Sequence, residues 1–157
     1  WFLAQGRGRS IIGASNTAEL AGDFLLGGAL PTGAKIVTRA MLRAAPRTLW
    51  VFGDNMQGRG LGGQAAAMRG EPNAVGVPTK WRPERTPGAY FTDDDWQDGD
   101  VRHAIFDAFR RIEAALAEGR DVVIPADGLG TGLAELPARA PKIHAFIENS
   151  IAELANG

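Results

Sequence analysis

Twice along this chain a short apolar run breaks off into a cluster of glycines, and that pairing limits the fold more than any other feature. The first run is Thr48-Leu49-Trp50-Val51-Phe52, followed by Gly53-Asp54-Asn55 and the loop Gly58-Arg59-Gly60-Leu61-Gly62-Gly63. The second is Asp121-Val122-Val123-Ile124-Pro125, followed by Gly128-Leu129-Gly130-Thr131-Gly132. Short runs rich in β-branched and aromatic residues and bounded by glycine read as buried strands. In open α/β sheets, ligands bind beyond the carboxyl ends of such strands. Glycine there lets backbone N–H groups approach a phosphate closely. Two loops of this kind, from separate strands, can clamp a diphosphate from both sides.

The rest of the chain supplies matching elements. Gln64-Ala65-Ala66-Ala67-Met68-Arg69 has helical composition and is stopped by Gly70. A helix starting at Gln64 would add its N-terminal dipole to a phosphate site. Asn73 to Pro78 reads as another strand running into Thr79-Lys80-Trp81. Val101, Ile105, Ala108, Phe109, Ile112 and Leu116 recur at helical spacing, which predicts an amphipathic helix over 101–119. A last helix is expected from Pro137, with Ile143, Phe146, Ile147, Ile151 and Leu154 on one face. Residues 82–100 read as loop, and Ala34 to Val37 as a strand candidate. Residues 1–33 read as a glycine-rich N-terminal extension holding a short helix near Thr17 to Leu26. Residues 34–157 then form the ligand-binding domain. Strands alternating with helices give an α/β class.

Composition narrows the function classes. The 157 residues carry 17 Lys plus Arg against 18 Asp plus Glu, a net charge of -1. This gives no strong nucleic-acid signal. Cysteine is absent, which excludes thiolate catalysis and Cys-based zinc sites and suits a reducing compartment. No apolar run is long enough to cross a membrane, so a cytoplasmic location with no membrane partner is expected. The acids Asp93-Asp94-Asp95 with Asp98 lack the alternating ligands of a calcium loop and read as a solvated loop. His103 and His144 have no ligand spacing. Neither a metal nor a cofactor is expected.

Gly58, Gly60 and Gly63 also match G-x-G-x-x-G. A nicotinamide-binding Rossmann unit would place an acid at the end of the next strand, where Thr79-Lys80 stands instead. That alternative is kept behind the one below.

The motif layout resembles a macrodomain. Val51-Phe52-Gly53-Asp54-Asn55 followed by Gly60-Leu61-Gly62-Gly63-Gln64-Ala65-Ala66 is similar to that family's strand, glycine loop and helix. Ile124-Pro125-Ala126, then Gly130-Thr131-Gly132-Leu133, then Leu136-Pro137 is similar to its second signature. Val77-Pro78-Thr79-Lys80 resembles a strand end in the lysine-using branch that includes terminal ADP-ribose glycohydrolase. The block from Gly53 to Lys80 also looks like small uncharacterised phage and bacterial proteins. The resemblance implies a three-layer α/β/α macrodomain-like fold with a mixed central sheet. It implies an ADP-ribose-like ligand or an ADP-ribosylated macromolecule as partner, and hydrolysis of an ADP-ribosyl linkage. A non-catalytic reader of ADP-ribose is the alternative.

The ligand-binding residues would be Gly53, Gly60, Leu61, Gly62, Gly63, Gln64, Gly130, Thr131, Gly132 and Leu133. The catalytic candidates are Asp54, Asn55, Lys80 and Glu135. By the resemblance, Asn55 orients the distal ribose; otherwise it serves a tight turn. Asp54 is a general base or ribose contact, or else a turn aspartate. Lys80 attacks an anomeric carbon or balances phosphate charge, or else is a surface lysine. Glu135 acts as acid or base beside Lys80, or sits near the start of the last helix, where negative charge is favourable. Arg59 and Arg69 are further phosphate candidates, with Arg69 read as a surface arginine. Trp81, Tyr90 and Phe91 could stack on a base or ribose, or pack in the core.

Overall fold

In the computed structural model, residues 3–6, 9–14, 37–125 and 128–156 are described, the first two segments through their strand pairing alone. The central sheet has five strands: β1 (Leu3–Gly6), β2 (Arg9–Ala14), β3 (Leu49–Asn55), β4 (Ala74–Lys80) and β5 (Asp121–Pro125). They lie in the order β1-β2-β5-β3-β4. β1 runs antiparallel to β2, and every other neighbouring pair is parallel, so the sheet is mixed. The helices are α1 (Arg39–Ala44), α2 (Ala65–Met68), α3 (Gly99–Ala117), α4 (Leu136–Arg139) and α5 (Pro141–Asn156).

Strand alternation distributes the core. In β3, Trp50 and Phe52 join Leu42, Ala65, Met68 and Val123 in one buried cluster. Leu49 and Val51 join Val75, Val77, Val122 and Ile124 in another, with the apolar faces of α3 and α5. Successive side chains of a strand point to opposite faces, so α1 and α2 cover one face and α3 and α5 the other. Full burial of an Ile or Phe side chain is worth about 1.5–3 kcal/mol. Ile105 and Ile112 of α3, both fully buried, therefore dock it far more firmly than helix propensity alone would.

This arrangement sets the connections. β3-α2-β4 passes over one face. β4-α3-β5 then returns across β3 on the other face, and β5 ends beside β3. One crossover runs from β3 out to β4 and the next from β4 back past β3 to β5, which creates a switch point between β3 and β5. Beyond it, one loop leaves toward α2 and the other toward α4 and α5. Such divergence opens a crevice at the carboxyl edge.

Several elements depart from their expected form. β3 continues through Gly53-Asp54-Asn55, because β4 pairs along it as far as Asn55 with Lys80. α2 is a single turn; Arg69 leaves the helix with ψ 129, one residue before Gly70. One turn carries little dipole, so the helix-end contribution expected at Gln64 is small. The loop over 82–100 contains two 3-10 turns, Pro87–Ala89 and Asp93–Gln97. There the acid run is structural: Asp95 closes a capping box with Thr92, and Asp93 Oδ1 accepts from Lys142 N at 2.9 Å. The expected last helix is split at Ala140, where Pro141 starts α5. Residues 1–33 supply β1 and β2, and β2 pairs along the whole of β5. The expected helix near 17–26, and all of 34–37 except Val37, lie outside the described residues.

Candidate functional site

A cleft of about 390 Å³ opens at the switch point. Its walls come from the end of β3, the loop 59–64, the end of β4 and the second loop at Gly130 and 132–134. Gly53, Asp54, Asn55, Gly60, Leu61, Gly62, Gly63, Gln64, Lys80, Gly130, Gly132 and Leu133 all line it. Glu135 and Thr131 are outside the wall. Thr131 stands beside Gly128 instead, its Cγ2 3.5 Å from where a Gly128 Cβ would be.

The second glycine loop packs against the ends of β3 and β4 because neither Gly53 nor Gly130 has a side chain in the way. A Cβ at Gly53 would lie 3.4 Å from Gly130 N. Gly130 holds φ +77, and a Cβ there would come within 2.9 Å of Leu136 Cβ and 3.0 Å of Thr79 Cβ. Leu133, half exposed, leans across the gap, with its Cδ1 3.0 Å from the Cβ position of Gly62. Leu61 is 65% exposed on the opposite lip.

The polar side chains of the floor are mostly engaged. Asn55 is buried, and its Oδ1 accepts from Gln57 N at 3.0 Å while Nδ2 donates to Arg59 O at 2.8 Å. The amide thus shapes the first loop. Asp54 takes a two-pronged ion pair from Arg69, at 2.5 and 3.2 Å, and accepts from Asn55 N at 2.8 Å. Arg69 also donates from Nε to Gly60 O at 2.7 Å. The surface reading of Arg69 is therefore corrected: it is a latch between the strand end and the glycine loop. Arg59, exposed on the rim, pairs with Glu84 and holds Gln57 Oε1 at 2.7 Å. Glu84 is held below the usual carboxylate range by that arginine.

Lys80 is buried at the end of β4. Its Nζ donates to Glu84 O at 2.9 Å and lies 4.4 Å from the centre of the Tyr90 ring. Burial and repulsion from Arg85 push its pKa below the ordinary lysine value, opposed in part by Glu135 and Glu84. The surface-lysine reading is therefore set aside. Glu135 caps α4 in a left-handed conformation, φ 48, and faces Arg139 at 3.5 Å. It acts on Lys80 through its field alone.

The aromatic candidates do not reach the cleft. Phe91 is fully buried and meets Trp81 edge-on at 5.3 Å, while Tyr90 lies under Lys80 and Arg139. Thr79 and Pro83 are wall residues that sequence reasoning missed. Thr79 Oγ1 donates to Asp54 O at 3.0 Å and fixes the neighbouring strand end. Its only signal was its place next to Lys80. Among the described residues, no group of three or more His, Asp or Glu could hold a metal ion.

Residues 32–150 match the family of unknown function DUF7831. The chain belongs to that family. The DUF7831 match takes in β3, β4, β5 and both glycine loops, while β1 and β2 lie before it. No curated protein and no solved structure matches the chain.

Proposed function

We propose that the cleft binds the diphosphate of ADP-ribose or a related nucleotide sugar, and that the chain hydrolyses an ADP-ribosyl linkage. The observation that carries this is the meeting of two glycine loops from adjacent parallel strands, β3 and β5, at the switch point. The mixed sheet with helices on both faces is in keeping with a three-layer macrodomain-like fold. Backbone N–H groups of the loops would receive phosphate oxygens. Among the described residues Lys80 is the one basic group buried in the wall, and its depressed pKa leaves more neutral amine available to attack an anomeric carbon; the linked group would leave with the bonding pair and take up the Nζ proton, and water would then release the ADP-ribosyl unit from Nζ.

A non-catalytic reader is the second interpretation, and one observation favours it. Asp54 is spent on Arg69, and Glu135 is outside the wall, so among the described residues the wall holds no unpaired carboxylate to serve as acid or base. Calorimetric titration with ADP-ribose separates ligand from no ligand. Gly132→Glu is the control, because a Cβ at Gly132 meets nothing within 4 Å and the new carboxylate would repel phosphate without disturbing the fold. Binding lost in that variant supports the cleft; absence of heat at millimolar ADP-ribose rejects the ligand. Lys80→Met then decides between the two readings: a hydrolase loses turnover, whereas a reader shows none in either form.

A further inference from the structure

We infer that Tyr90 is the positioning residue of Lys80: its ring holds the amine at the cleft wall, and Arg139, brought by the helix that follows the second glycine loop, braces that ring. The part this gives Lys80 in a reaction rests on the hydrolase reading above. β4 ends at Lys80, and an isolated antiparallel bridge sets Lys80 opposite Tyr90. Trp81 N donates to Ala89 O at 2.8 Å and Met56 N to Lys80 O at 2.9 Å, so the backbone at the pair is pinned from two sides. Residues directly opposite across such a bridge send their side chains to the same side. The Lys80 Nζ accordingly stands 4.4 Å from the centre of the Tyr90 ring, and the Arg139 Cζ 3.8 Å from it. Arg139 arrives there on α4, which is tied to the second loop by Leu136 N donating to Gly130 O at 2.8 Å.

The amine is held by neutral groups. A buried lysine is ordinarily paired with a carboxylate, which keeps it charged. Among the described residues Lys80 makes no ion pair; its Nζ donates to the Glu84 carbonyl at 2.9 Å and faces the ring. The ring attracts an ammonium through its quadrupole, but less strongly than a carboxylate in contact would. The charged groups whose fields reach the amine are Glu84 and Arg85 on the loop after β4 and Glu135 and Arg139 on α4, two of each sign. Burial is the largest influence, and the amine gives up its proton more readily than an ordinary lysine. Tyr90 thus fixes the place of the amine without fixing its proton, which is what a nucleophilic lysine needs.

The test uses the full chain, in which lysine occurs only at 35, 80 and 142, so NMR of the side-chain amines follows Lys80 directly against pH. In the parent, the ring current of Tyr90 should shield the Lys80 ε-protons relative to those of Lys142; its absence overturns the inference whether or not any variant folds. Tyr90→Leu keeps an apolar wall and removes the ring's attraction for the ammonium. The Lys80 titration should then fall by about half a pH unit or more, while Tyr90→Phe should titrate like the parent. An unchanged or raised titration in Tyr90→Leu would mean that the ring only keeps water away, and would overturn the inference. Arg139→Gln, at a partly exposed site, should raise the titration, since it removes a repelling charge and frees Glu135; a fall or no change overturns the part of Arg139. Turnover of an ADP-ribosylated protein gives the second readout. Tyr90→Leu should lower kcat about tenfold or more and leave the Kd for ADP-ribose within about twofold, because Tyr90 stands outside the wall. Equal losses in kcat and binding, or the same loss in Tyr90→Phe, would overturn the positioning role. A parent without turnover overturns the hydrolase reading and the part of Lys80 in it, while the titrations still decide whether the ring holds the amine.

Discussion

Lys80 shows how one position can work against stability. The unfolded chain holds the Lys80 proton up to about 10.5, whereas the folded chain releases it sooner because burial penalises the charge. Between those two values the unfolded state binds more protons, so stability rises with pH across that window. Below it the penalty is present in full. Lys80→Met removes the penalty and also the contacts to Glu84 O and Tyr90. Relative to the parent, the variant should therefore be at its best at neutral pH, with its advantage shrinking as pH approaches 10.5. Urea unfolding at pH 7 and near pH 10 measures the change; a constant difference between the two would reject this account of Lys80.

At the scale of elements, the first glycine loop depends on a latch outside it. Arg69 ties the Asp54 carboxylate at the β3 end to Gly60 O in the loop. Asp54 is folded over Gly76, where a Cβ would come within 2.5 Å of its Oδ2. Removing the guanidinium leaves a largely buried carboxylate with one backbone donor, a loss of about 1–3 kcal/mol. Arg69→Ala should show that loss in urea unfolding, and adding Asp54→Ala should restore part of it, since the two residues share one interaction. The latch was not legible in the sequence. Arg69 ends what composition alone reads as a helix, and its partner lies 15 residues away on a neighbouring element. By contrast β3, β4, β5 and α3 were legible, because burial imposes period 2 or 3.6 on their own residues. The gathering of both glycine loops in one cleft follows from the strand order, which sets β5 beside β3 and was not legible in the sequence. β1 and β2 escaped notice because β2 takes its place from pairing with β5, a partner more than 100 residues on. The choice left open for the aromatic residues had a related cause: composition cannot say which face of a strand end looks into a cleft.

For the whole molecule, the switch point makes a prediction about coupling. A diphosphate held between the loops after β3 and β5 would contact two chain segments that separate crossovers deliver to one edge. Ligand at a hundredfold its dissociation constant adds about 2.7 kcal/mol to stability. In a chain of 157 residues that corresponds to a melting rise of about 5–10 °C. Gly132→Glu should melt like the parent and show no rise. More telling is where the protection falls. Hydrogen exchange with ADP-ribose present should slow in residues 58–64 and in 130–134 together, since a clamp holds its ligand only when both sides close. Slowing in one loop alone would mean that the ligand sits on a single wall, and the diphosphate clamp would be wrong even if ADP-ribose binds.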